Sequence, residues 1–171
     1  MNAAILTIST SVSNRQAQDV SGAALAQAAQ AAGAQIVATE TLPDNAEAIG
    51  AALERLSAPG AGTDLIFTTG GTGLTPDDVT PEATRAIIDR DAPGFAEAMR
   101  AESLKHTPLG ILTRGVSGIA NRTLIVNFPG NPKAISQLFP VIAPTLEHAV
   151  ATLRREPGRE GGGHEHGPGG H

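Results

Sequence analysis

The chain has 171 residues, a formal net charge of -5, no Cys, and four Phe with neither Tyr nor Trp. The lack of Cys excludes disulfides, thiolate metal sites and cysteine nucleophiles, and an acidic balance with so few stacking faces argues against nucleic acid as a partner. The length suits one domain with a single core. The opening MNAAILTIST has no basic region of a secretory signal, and no apolar run approaches the roughly 20 residues that cross a bilayer. The expectation is a cytoplasmic protein without a membrane partner.

In chain order, Ala3 to Ile8 is a short apolar run closed by a Ser/Thr cluster and reads as a buried strand. Val20 to Ala32 is Ala-rich and stops at Gly33, as a helix does. Gln35 to Thr41 reads as a second strand. Asp44 to Ser57 carries Ile49, Leu53 and Leu56 at helical spacing, and Asp44 with Glu47 has the spacing of a capping box. Asp64 to Thr68 is a third buried strand, followed at once by Gly70, Gly71 and Gly73.

Thr80 and Pro81 open a helix with Pro at its first position. Asp91 and Pro93 open another, with Phe95 and Met99 one turn apart. Gly115 to Ile119 and Thr123 to Asn127 flank a tight connection and read as a hairpin. Asn131 and Pro132 start a helix that should break before Pro140, and a last helix runs to about Arg154. Residues 1–155 are expected to form the domain. Residues 156–171, Gly-rich with His164, His166 and His171, are expected to be a disordered and dispensable tail; those histidines could alternatively bind a soft metal.

Apolar strands alternating with helices predict an α/β domain of three αβα layers, with a mostly parallel sheet and a small hairpin. Ligands bind such sheets beyond the carboxyl ends of the strands. Ser9 to Ser13, Thr69 to Asp78 and Phe128 to Asn131 should therefore meet.

Two segments carry chemistry. In Thr68 to Thr84, TTGGTGLTPDDVTPEAT, glycines after a buried strand let backbone amides approach an anion. Thr69 and Thr72 add hydroxyls, and the loop ends at a helix N-terminus. A tight strand-to-helix connection with no ligand explains the same glycines. The loop lacks the Lys-Ser/Thr of a Walker loop and is not G-x-G-x-x-G, which disfavours a nicotinamide-binding oxidoreductase. Asp77 and Asp78 would repel a phosphate unless a cation lies between, as Mg²⁺ does when held by one or two carboxylates plus substrate phosphates; helix-entry capping is the alternative. The second segment, Asn127 to Ala134, NFPGNPKA, combines a Pro129-Gly130 turn with a helix start capped at Asn131. No Ser/His/Asp constellation is visible, since His106 and His148 sit in predicted helices.

TTGGTGLTPDDVTPEAT together with NFPGNPKA resembles the molybdopterin-binding family, which includes bacterial Mog- and MoaB-type proteins and the G domain of gephyrin-like proteins. ILTRGVSGIANRTLIVNFPGNPKA and PGFAEAMR resemble further segments of it, so the likeness runs from about Ala3 to Arg154. The resemblance implies a three-layer domain, commonly a homotrimer, which the apolar hairpin also suggests because it needs cover. It implies molybdopterin and ATP as substrates and Mg²⁺ as cofactor, for adenylylation of molybdopterin ahead of metal insertion. A molybdenum-insertion enzyme is then a partner. By position, the catalytic and metal-binding aspartates are Asp44 and Asp78, with Thr69, Gly70, Gly71, Thr72, Gly73, Pro129, Gly130 and Asn131 lining the substrate and nucleotide sites. Asp77 departs from relatives that carry a basic or neutral residue there. A non-catalytic molybdopterin carrier of the same fold is the alternative reading.

Overall fold

The computed structural model describes residues 1–155; the tail and its histidines lie outside the described residues. The elements run β1 (Asn2–Ile8), α1 (Thr10–Ser13), α2 (Val20–Ala31), β2 (Gln35–Leu42), α3 (Ala46–Ser57), β3 (Leu65–Thr69), α4 (Thr80–Ile87), β4 (Arg90–Asp91), α5 (Gly94–His106), a 3-10 turn (Pro108–Leu112), β5 (Ser117–Ala120), β6 (Thr123–Phe128) and α6 (Pro132–Leu153). One sheet has the order β2-β1-β3-β6-β5-β4. β2, β1, β3 and β6 are parallel, and β5 and β4 add antiparallel at one edge.

The three layers follow from the two-residue period of the strands. Ala3, Ile5, Leu65, Phe67, Leu124, Val126 and Phe128 face one side, where they meet Leu25 and Ala29 of α2, Met99 of α5 and Ile135, Leu138 and Phe139 of α6. Ala4, Leu6, Ile8, Ile66 and Ile125 face the other side and meet Ile49, Leu53 and Leu56 of α3 and Ala83 of α4. Phe67, Phe128 and Phe139 pack ring to ring at 5.5–5.8 Å, each pair adding about 0.5–1.5 kcal/mol to its burial. β2, on the open edge, alternates exposed and half-buried residues, while the central β3 and β6 are buried throughout.

Three sequence expectations are corrected. α6 does not break: it runs through Pro140 and Pro144 as one 22-residue helix. Both prolines are exposed and four residues apart, so they lie on one solvent face. The carbonyls left without donors, those of Ser136 and Pro140, start from exposed residues that water can reach. The buried stripe Ile135, Leu138, Phe139, Ile142, Leu146 and Val150 offsets the lost bonds.

Second, Asp44 and Glu47 form no capping box. Asn45 is the N-cap of α3, its Oδ1 accepting from the Ala48 N–H at 2.9 Å, which leaves Asp44 outside the helix. Third, α4 begins at Thr80, with Pro81 second, and its N-cap Val79 makes no side-chain bond. Neither Asp77, Asp78 nor Thr80 therefore caps it.

The hairpin of β5 and β6 forms, joined through Asn121, which takes a left-handed φ of 55° that Asn tolerates. Its strands are largely buried within the single chain, so the hairpin is not the apolar face that needs cover.

Candidate functional site

The carboxyl ends of β1, β3 and β6 do converge. Gly70 N–H donates to Phe128 O at 3.1 Å, and Thr69 Oγ1 donates to Pro129 O at 2.9 Å. A Cβ on Gly130 would stand 3.1 Å from Gly70 Cα, and one on Gly70 would stand 2.2 Å from Ile8 O. Glycine at 70 is required twice over, because its φ is also +101°. A cleft of about 230 Å³ opens beside this junction, lined by Ser9, Gln18, Thr69, Gly70, Gly130 and Pro132 among others.

Several residues expected at the site have internal duties. The Gly70 amide is spent on Phe128, and the fully buried Thr69 hydroxyl on Pro129. Thr72 is buried. Asn131 is exposed and its Oδ1 caps α6, accepting from Lys133 N–H at 2.9 Å. Gly71 has a φ of +63°, and a Cβ there would stand 2.4 Å from Thr80 Oγ1; its N–H makes no hydrogen bond among the described residues. Pro129 is half-buried, and Gly130 and Asp77 are exposed.

The two aspartates flank the glycine loop. Asp44 Oδ2 accepts from Thr10 N–H and Thr10 Oγ1, both at 2.9 Å, so the first turn after β1 holds it. Its Oδ1 takes no hydrogen bond among the described residues and lies 3.4 Å from where a Gly71 Cβ would be. Asp78 Oδ2 accepts from Thr75 N–H at 2.9 Å and Thr75 Oγ1 at 2.7 Å, and lies 2.8 Å from a Cβ built on Gly73.

The Thr75 hydroxyl, then the Thr75 and Gly73 amides and the Arg114 charge, hold the Asp78 carboxyl below the usual carboxylate range, against the opposing pull of partial burial. Asp78 is thus anionic at neutral pH. A carboxylate depressed on folding contributes its stabilisation above its unfolded pKa and loses it as pH falls through the folded value, so this loop loosens only in acid.

Two residues escaped sequence reading. Asn127, buried on β6, donates through Nδ2 to Thr68 Oγ1 and Thr84 Oγ1, both at 3.0 Å, and accepts from Val116 N–H at 3.2 Å. Thr84 Oγ1 in turn donates to Thr80 O, and Thr80 Oγ1 to Gly70 O, so one buried polar chain links β6 and α4 to the glycine loop. The signal was an amide side chain between the apolar Val126 and Phe128 in TLIVNF. The other is Arg114, whose guanidinium reaches Gly73 O, Asp78 O and Glu82; nothing in its local sequence marks it.

The site residues come with a long match. The family described as "Probable molybdopterin binding domain" matches residues 4–148. The chain belongs to this molybdopterin-binding family. A protein named molybdopterin adenylyltransferase from Helicobacter pylori (strain J99) is 46% identical over 87 residues, 51% of this chain and 49% of that relative. The match thus spans about half the length of that curated relative. Among solved structures, the molybdopterin biosynthesis enzyme MoaB from Thermus thermophilus superposes with a TM-score of 0.83 at 41% identity, covering 91% of this chain and 98% of that one. The molybdopterin biosynthesis Mog protein from Mycobacterium ulcerans gives a TM-score of 0.82 at 35% identity over 89% of this chain and 98% of its own. The expected family and three-layer fold are borne out. Among the described residues, no helix is long and apolar enough to cross a membrane.

Asp44→Ala separates the site from the helix cap. It should lose the two Thr10 bonds, roughly 1–2 kcal/mol, while α3 keeps its Asn45 cap. Thermal melts and hydrogen exchange of Asp44→Ala beside Asn45→Ala check this: a fall in α3 amide protection in Asp44→Ala alone would restore the capping reading.

Proposed function

We propose that this chain is a cytoplasmic molybdopterin adenylyltransferase that uses Mg-ATP to transfer AMP to the terminal phosphate of molybdopterin, preparing it for metal insertion. The observation that carries the reading is that two carboxylates lie against one glycine loop, Asp44 beside Gly71 and Asp78 beside Gly73, and that the Gly71 N–H makes no hydrogen bond among the described residues. The adenylyltransferase name of a relative at 46% identity supports it.

Among the described residues, no group of three or more His, Asp or Glu could hold a metal ion by itself. Mg²⁺ needs no such group, since it binds through one or two carboxylates completed by substrate phosphates and water. Asp44, through its free Oδ1, and Asp78 would hold it, and it would supply charge neutralisation on the nucleotide phosphates. The chain's own contribution is positioning: the Gly71 amide donates to a phosphate oxygen, and the Gly70–Gly130 junction walls the cleft. A pterin phosphate oxygen attacks the α-phosphorus of ATP, the bond from that phosphorus to the bridging oxygen breaks, and pyrophosphate leaves with the electron pair. Incubation with molybdopterin and Mg-ATP tests the reading: adenylylated pterin and pyrophosphate in equal amounts are expected. Tight pterin binding with neither product would instead establish a non-catalytic carrier.

A homotrimer and docking to a metal-insertion enzyme belong to the same proposal. With the hairpin buried, four of the large apolar side chains exposed among the described residues, Leu104, Leu109, Ile111 and Leu112, fall together at the end of α5 and the 3-10 turn, and this is the face offered to another copy. Sedimentation at micromolar concentration should give the mass of three chains, and Leu109→Glu with Ile111→Glu should give monomers. A monomeric unmodified protein overturns the trimer.

A further inference from the structure

Arg114 lies between the 3-10 turn and β5, outside both glycine-bearing segments, yet nearly all its bonding capacity is directed at one of them. Its backbone N–H donates to Thr72 O at 2.8 Å. Its Nε donates to Gly73 O at 2.7 Å and its Nη2 to Asp78 O. The rest of the guanidinium pairs with the Glu82 carboxylate in the first turn of α4. One planar fork thus grips both ends of the segment 73–78.

The bonds inside that segment do a different job. Thr75 N–H and Oγ1 to Asp78 Oδ2, and Asp78 N–H to Thr75 O, shape the turn but do not tie it to the domain, so they persist only as long as its ends are held. Leu74 to Asp77 are exposed and pack on little that could hold them in place. Their placement against the rest of the domain comes from Arg114 and from the chain at either end, where Thr80 N–H meets Gly71 O. Because the fork is occupied by two carbonyls and a carboxylate, it has little left to offer a substrate.

We propose that Arg114 is a positioning residue that sets where the Asp78 carboxylate stands relative to the Gly71 amide, and so sets the affinity of the site for a magnesium–nucleoside triphosphate. The kinetic part rests on the adenylylation reading; the loop assignment does not. Lysine keeps the charge but is a point donor on a flexible stem and cannot bridge the two carbonyls as the fixed fork does.

The test compares Arg114→Lys and Arg114→Gln with Arg55→Gln, which removes a surface pair with Glu40. Hydrogen exchange of peptides spanning 70–80 is read beside calorimetric binding of Mg²⁺ with α,β-methylene-ATP, pterin binding, and KM and kcat. Both Arg114 variants should speed exchange across 73–78 at least tenfold and leave β1 and β3 unchanged. They should weaken the magnesium–nucleotide analogue and raise KM for Mg-ATP at least tenfold, with pterin affinity within twofold. Arg55→Gln should move none of these. Wild-type exchange in Arg114→Lys overturns the proposal. So does faster exchange spread evenly over the sheet, or failure of both variants to fold, since either marks a general structural role. If the unmodified protein binds no nucleotide while the exchange effect persists, the adenylylation reading fails and the loop assignment stands.

Discussion

Asp78→Asn is expected to cut ATP-dependent adenylylation on the order of 10²–10³-fold, the scale seen when one preorganised electrostatic group is lost from a site, while the protein stays folded. The side chain keeps its shape and one acceptor oxygen. Both Thr75 donors reach the single oxygen Oδ2, whose place the amide oxygen takes, so both keep their partner and stability should change by about 1 kcal/mol or less. What disappears is the negative charge that its neighbours maintain at neutral pH. If that charge holds a cation against the nucleotide, pterin binding survives and turnover does not. The measurement is product formation beside a thermal melt. Turnover close to that of the unmodified protein would remove the metal role from Asp78 and favour the carrier reading. Asp44→Asn is the companion variant: Asn keeps an oxygen for Thr10 but loses the charge on the side facing Gly71.

Gly70→Ala is expected to be the most destabilising single methyl addition in the glycine loop, at about 3 kcal/mol or more, because a strained left-handed backbone and an overpacked contact add together. The φ of +101° already strains an L side chain, and the new carbon would sit 2.2 Å from Ile8 O, a backbone atom of β1 that cannot swing away. For a domain of this size that is a fall in Tm of roughly 6–12 °C. Gly60→Ala is the control. Its φ of +86° is also left-handed, but nothing lies within 4 Å of the added carbon, so it should cost only about 1–2 kcal/mol. Equal melting losses in the two variants would mean that the contact with β1 contributes nothing and that only φ matters.

Much of this arrangement was legible in the sequence because it depends on short-range pattern. The buried strands, the glycines after β3 and the Asn131-Pro132 helix start follow from residue type and spacing. The convergence of three loops follows from the parallel-sheet rule. What escaped depends on partners far away in sequence. Asp44 has the spacing of a helix cap with Glu47, but Thr10, 34 residues earlier, takes its carboxylate and Asn45 does the capping. Gly70 looks like an open amide for phosphate, yet that amide is consumed by Phe128, 58 residues later, and the glycine is there for the close passage of Ile8. Pro140 reads as a stop, but the burial of α6 along the sheet outweighs two missing bonds on its wet face. Arg114 carries no local signal, because an arginine before a glycine is ordinary until its fork is seen across the loop.

The backbone contact between Gly70 and Gly130 makes two loops from different strands into one wall. A molecule arriving there meets a surface whose shape was settled during folding, so little of its contact energy goes into ordering the protein. Free and occupied forms should superpose closely along this wall, and entry should be limited by diffusion and orientation rather than by a slow opening. The same stiffness sets a size limit. Widening the cleft along this wall would strain the Gly70–Phe128 and Thr69–Pro129 bonds, so a ligand seated here is expected to lose affinity when a substituent is added on this side.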